Sequence, residues 1–210
     1  MTFRGWPSEA LEFYEGLAAD NSKTYWTAHQ TFYEEQVREP MRELLAALEP
    51  EFGPGKIFRP YRDVRFSNDK SPYKTHLGAW LEAGGYVQLS ADGLAAGCGM
   101  YQMESDQLDR YRKAVAGDRT GKQLAEVIAT IESAGIGVHG HGSLKTAPRG
   151  YPKDHPRVDL LRYKGITTWQ EWVPASWLGT ASAQKRIIEF FRKSWPLRDW
   201  LDDHVGPHRP

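Results

Sequence analysis

Between Phe58 and His76 the chain carries five Lys or Arg against two Asp in one short run. Cations at that density repel one another unless water, carboxylates or a bound anion compensates them. Arg59, Arg62, Arg65, Lys70, Lys74 and His76, with the hydroxyl of Ser67, are the donor types that grip phosphate or carboxylate. Ser67-Asn68-Asp69 can turn on side-chain-to-backbone bonds, and Ser71-Pro72 stiffens the exit. Arg65, Lys70 and Lys74 around that turn are expected to converge on one anion. Asp63 and Asp69 are candidate bases, and His76 is a candidate proton shuttle. The bland alternative is that the arginines staple a sheet to helices while the lysines stay solvated.

Read as a strand from Phe58 to Phe66, the run has a period of two. Arg59, Tyr61, Asp63 and Arg65 share one face; Phe58, Pro60, Arg62, Val64 and Phe66 share the other. Arg62 is then the polar member of an apolar face. A buried guanidinium is costly unless paired, so a buried Arg62 with a carboxylate partner is expected.

A second basic stretch runs through Lys145, Arg149, Lys153, Arg157, Arg162 and Lys164, interleaved with Tyr151 and Tyr163. Basic and aromatic interleaving also builds nucleic-acid grooves. The stretch is expected to help enclose the anion, with Lys145 and Arg162 as further donors. Within it, Asp154-His155-Pro156 sets a carboxylate beside an imidazole, either as an acid–base pair with His155 as shuttle or as a helix cap. His139-Gly140-His141 offers two imidazoles without a Cys or carboxylate cluster, so it reads as a flexible turn and no metal is expected. Cys98, between two glycines on a strand, reads as core. Nucleophile elbow, phosphate-cradling glycine loop, zinc-protease and dinucleotide fingerprints are absent from the sequence, and no cofactor is expected.

The elements that must hold these residues follow from periodicity. Ser8 can cap a helix with Leu11, Tyr14, Leu17 and Ala18 on one face, and Asp20-Asn21-Ser22 is a turn and second cap. Helical spacing continues from Tyr25 to Leu48, with a kink or restart at Pro40, and stops before Phe52-Gly53. Strands at 78–82, 86–90 and 95–101, joined through Gly84-Gly85 and Asp92-Gly93, form an antiparallel meander. Gly97 and Gly99 leave one strand face bare, either for close packing or as a floor for a ligand. Helices return at 105–116 and 121–134; residues 137–177 read as loop; a last helix carries Ile187, Ile188, Phe191 and Trp195, and Pro196 starts a final turn. Helices, meander, helices is α+β, with an antiparallel β-meander packed with N-terminal and C-terminal helices, in one domain over residues 1–210.

The 27 Lys and Arg balance 27 Asp and Glu, so no global charge points to nucleic acid. One cysteine suits a reducing compartment, no apolar run reaches the roughly 18 residues that span a bilayer, and a cytoplasmic chain with no membrane partner is expected. Aromatic residues make up 12% of the chain, enough to fill a core or to supply stacking platforms.

The string Tyr61-Arg62-Asp63-Val64-Arg65-Phe66-Ser67, followed by Asp69-Lys70-Ser71-Pro72-Tyr73-Lys74, resembles the DUF2461 family of bacterial and fungal proteins. Phe13, Leu17, Asn21, Trp26 and His29, the block Gly85-Tyr86-Val87-Gln88-Leu89, and the segment from Leu144-Lys145 through Pro148-Arg149-Gly150-Tyr151 to Leu160-Leu161-Arg162 are similar too. Asn68 stands where lysine is common in the family, which lowers the local charge. The resemblance covers nearly the whole chain and implies an identity without an assigned activity. From the residues, the leading expectation is a site for a phosphate-bearing small molecule or nucleotide, whether in an enzyme or a binding protein. A non-enzymatic nucleic-acid-binding module and a purely structural role for the arginines stand as alternatives.

Overall fold

The computed structural model describes residues 3–65 and 67–209. Its strands lie in one sheet in the order β1-β2-β3-β4-β6-β5, which together with the helices is the expected α+β class. The chain divides into two compact units, Met1–Ala96 with Glu171–Glu189, and Gly97–Gln170 with Phe190–Pro210.

In the first unit, α1 (Glu9–Ala19) buries Ala10, Phe13, Tyr14 and Leu17. Leu11 and Ala18 are more open, so the apolar stripe is turned by about one position from the expected one. Ser8 bonds the Glu9 carboxylate rather than capping the helix. Ser22 does cap α2 (Lys23–Phe32), accepting the Tyr25 N–H at 3.1 Å. The expected interruption at Pro40 takes the form of a π turn, Tyr33–Arg38, before α3 (Glu39–Phe52). Pro40 cannot donate a backbone bond, and a widened turn just ahead of it lets the helix restart without a break. The indole of Trp6 donates to the Val37 carbonyl of that turn at 3.0 Å. Val37, Met41, Leu44, Leu45 and Leu48 are all buried, each contributing roughly 1.5–3 kcal/mol of apolar burial.

The three strands of the expected meander form, as β2 (His76–Leu81), β3 (Gly85–Ser90) and the start of β4 (Gly93–Met100); β1 (Gly55–Ile57), which pairs with β2, was not expected. In the register, Lys56 faces Trp80, and Trp80 in turn faces Tyr86. Residues 77, 79, 81, 87 and 89 are buried while 76, 80, 86, 88 and 90 are more open, the alternation of a half-covered antiparallel sheet.

In the second unit, α4 (Ser105–Ala116), α5 (Asp118–Ser133) and the 190–204 part of α7 (Ser182–His204) are helical as read. Pro196 lies inside α7 rather than opening a separate turn. The expected loop at 137–177 is corrected: it holds β5 (Gly137–His141), α6 (Val158–Arg162) and β6 (Gly165–Trp172). Antiparallel pairing with β6 fixes β5, so His139-Gly140-His141 is strand and not flexible turn. Gly97 and Gly99 are covered closely: a Cβ on Gly97 would meet the Trp169 ring, and one on Gly99 the Ile166 backbone. Close packing, not a ligand floor, is their role.

Candidate functional site

The strand expected at 58–66 is not there. After β1, pairing shrinks to one bridge, Tyr61 to Tyr73, held by Arg62 N–H to Pro72 O and Lys74 N–H to Pro60 O, each 2.8 Å. Proline at 60 has no N–H to extend the ladder. Phe58 N–H still bonds Gly78 O at 2.9 Å. Between these two fixed points only Arg59 and Pro60 face the four residues Lys74 to Leu77. The mismatch bulges the second strand and brings Lys74 and His76 beside Arg59 and Arg62.

Arg62 therefore lies on no apolar face. Its side chain is 33% exposed rather than buried, yet the expected carboxylate partner exists and is Asp69. Phe66, assigned to the same face, lies outside the described residues. Val64, another member of that face, is only half-buried.

The bridge closes a loop, residues 62–72, that turns on its own bonds. Asp69 accepts the Ser71 N–H at 2.9 Å as well as Arg62. The Ser71 hydroxyl and N–H, followed by Arg62, hold the Asp69 carboxyl well below the usual carboxylate range. Arg65 grips Asp63 through two guanidinium bonds of 2.9 and 2.7 Å and lowers that carboxyl too. Lys70 Nζ donates to Val64 O at 3.0 Å. Ser67 N–H reaches Val64 O at 3.4 Å. Two clamps hold the loop's base. Asn21 makes a pair of backbone bonds to Tyr73, 3.1 and 2.9 Å, and Trp26 stacks on the Tyr73 ring at 4.6 Å and 10°.

The charges that act on one another are not the expected Arg65, Lys70 and Lys74. Arg65 and Lys70 have partners within the loop. Instead, burial first and Arg59 second push the half-buried Lys74 amine down toward its neutral form. Burial, then Lys74, then Arg62 push His76 down likewise. Among the described residues, no carboxylate forms an ion pair with Lys74 or His76, whereas Arg59 acts at longer range on Asp63 and helps lower that carboxyl. Lys74 Nζ lies over the Phe58 ring, 5.2 Å from its centroid. Phe58, Tyr61 and Trp80 are themselves exposed at 40%, 49% and 38%. The residue-type reading missed these rings as surface features. The signal for Phe58 was its spacing of two from the charged Lys56.

In the second basic stretch, Arg157 and Arg162 have structural duties in their own unit. Arg157 donates to the Val115, Ala116 and Gly117 carbonyls at 2.7, 3.2 and 3.2 Å, sealing the end of α4. Arg162 bonds Leu144 O at 2.6 Å and Asp159 at 3.1 Å. His155 Nδ1 accepts the Arg157 N–H at 3.0 Å in the turn ahead of α6, so that nitrogen is engaged; α6 starts at Val158 with Arg157 at its N-cap, and Pro156 is not its first helical residue. Lys145 is exposed. His141 bonds Thr167 at 2.7 Å. Among the described residues no group of three His, Cys, Asp or Glu gathers as a metal site would require, and no helix is long and apolar enough to cross a membrane. An apolar cleft of about 410 Å³, lined by Trp6, Pro7, Leu11, Pro174 and Leu178 among others, includes none of the basic candidates.

The family model described as conserved hypothetical protein (DUF2461) matches residues 9–200. The chain belongs to the DUF2461 family. The match takes in the whole 59–76 segment together with Asn21 and Trp26, which hold it. No curated protein matches the chain. A solved structure, the conserved hypothetical protein Pfu-178653-001 from Pyrococcus furiosus, is 16% identical with a TM-score of 0.35, over 81% of this chain and 98% of that one.

Proposed function

We propose that this DUF2461 chain binds a phosphate-type anion at the base of the 59–76 loop, through Arg59, Lys74 and His76 with Arg62 at its margin. The observation that supports the reading is the state of Lys74 and His76. Both are drawn in from solvent, and the charges acting on them are other cations. A dianion there would relieve the repulsion and favour the charged form of each. Asn21, Trp26 and bonds within the loop already fix its base, which lowers the ordering cost at binding. Arg65, Lys70 and Ser67 belong to the loop's framework in this reading, and Lys145 and Arg162 are not needed for it.

Binding rather than acid–base catalysis is the role these groups suit. Hydrogen-bond partners lower the Asp63 and Asp69 carboxyls and make them weaker bases than ordinary carboxylates. Thermal melts in rising inorganic phosphate at fixed ionic strength test the proposal. Stabilisation should grow with phosphate concentration, be lost in an Arg59→Ala, Lys74→Met variant, and survive in Lys145→Ala. Equal shifts in all three proteins, or none in any, would refute it.

A further inference from the structure

The solvent-side face of β1, β2 and β3 places rings and cations side by side. Lys56 is the direct cross-strand neighbour of Trp80, and Trp80 that of Tyr86. Phe58 pairs its backbone with Gly78, and the absent side chain there makes room: a Cβ on Gly78 would strike the Tyr86 hydroxyl. Tyr86 lies across that gap, 6.3 Å from the Phe58 ring, and donates to Gln88 at 3.0 Å. Lys74 sits over Phe58. Thus two of the exposed rings, Phe58 and Trp80, each have a lysine beside them.

We infer that this face is a stacking platform for single-stranded nucleic acid, whose phosphates engage the cations of the proposed anion site. The inference rests on that reading and adds the bases to it. Exposed rings on an antiparallel sheet offer π faces that any base can stack on, and adjacent lysines neutralise the phosphates between bases. Lys56 and Trp80 lie at one register position and Phe58, Gly78 and Lys74 at the next, beside the anion site, a succession of stacking and phosphate positions that suits an extended strand. Charge complementarity is local. From Lys56 to Trp80 the chain has six Lys or Arg against two Asp, although the whole chain is balanced. Both aspartates are already paired, with Arg62 and Arg65. Duplex nucleic acid hides its base faces and would leave Phe58 and Trp80 without a role.

Fluorescence anisotropy of a labelled ten-nucleotide single strand tests this on the intact chain, against a duplex of the same length and polyglutamate of matched charge. Wild type should bind the single strand, with quenching of tryptophan emission, and bind the other two at least tenfold more weakly. Phe58→Ala with Trp80→Leu should lose at least tenfold in single-strand affinity while its phosphate stabilisation persists. Because both rings are partly exposed, circular dichroism should show the variant folded, and Lys56→Glu provides a second variant that should lose affinity without touching a ring. Equal affinity of wild type and ring variant, or equal affinity for polyglutamate, would overturn the inference. Phosphate stabilisation without single-strand binding would overturn it alone; no response to either probe would overturn the anion site as well.

Discussion

At the scale of single residues, partners decide what each charge can do. Arg62 is held by Asp69 and Arg65 by Asp63, so neither guanidinium faces a ligand unopposed. Both pairs are largely exposed, and such pairs hold a fold together only weakly. Asp69 should therefore matter more to binding than to stability. Replacing it by Asn frees Arg62 beside His76 and removes a negative charge from the site. Phosphate affinity measured by calorimetry should rise several-fold in Asp69→Asn, and unchanged or weaker affinity would place the anion elsewhere. The sequence made these residues legible as donors, and it foretold that Arg62 has a carboxylate. It could not show which charges neutralise each other, because i,i+2 pairing in a turn depends on local backbone geometry and not on spacing alone.

Among the elements, the loop at 62–72 owes its shape to helices far away in sequence. Asn21 closes the α1–α2 turn and reaches across to bond the Tyr73 backbone twice. Trp26 stacks on the same residue. Removing Asn21's side chain leaves two half-buried backbone groups without partners, a cost of about 1–3 kcal/mol. Urea unfolding of Asn21→Ala should show that loss, and trypsin should cut at Arg62, Arg65 or Lys70 much faster than in wild type. Wild-type resistance and stability in the variant would mean that the loop holds itself. Periodicity identified α1, α2, α3 and the meander because each presents one apolar face to a core. It failed at 58–66, where alternating residues suggested a strand but Pro60 and the bulge opposite it end the ladder. It failed again at β5 and β6. Gly137-Val138-His139-Gly140-His141 is too poor in apolar side chains to read as strand, and only pairing with Gly165–Trp169 makes it one. A Cβ on Gly140 would fall within the Tyr163 ring, so the glycine that looked like a turn signal is there for close packing.

For the whole molecule, equal numbers of acids and bases conceal an uneven distribution, and composition alone could not locate the surplus. The single thiol offers a gauge of global integrity that is independent of the site. Cys98 is 2% exposed, and burial pushes its thiol up to about 12. A thiol reagent should modify it only as fast as the fold opens, with the rate rising steeply in denaturant; rapid labelling of the native protein would contradict the buried strand. The anion site itself is read most directly at His76. Its imidazole is held below the ordinary value of about 6.5, so the folded state resists protonation and loses stability as pH falls through 6.5 toward the lowered value. A bound anion opposes that loss, because it favours the imidazolium. The decisive measurement is an NMR pH titration of His76, assigned with His76→Gln, without and with sulfate, which stays doubly charged across the range. The expected result is an imidazole pKa below 6.5 that rises when sulfate is added; in Arg59→Ala, Lys74→Met, where loss of the Lys74 charge by itself raises the pKa, sulfate should no longer move it. A pKa that sulfate does not move, or moves equally in the variant, would contradict an anion site at Lys74 and His76.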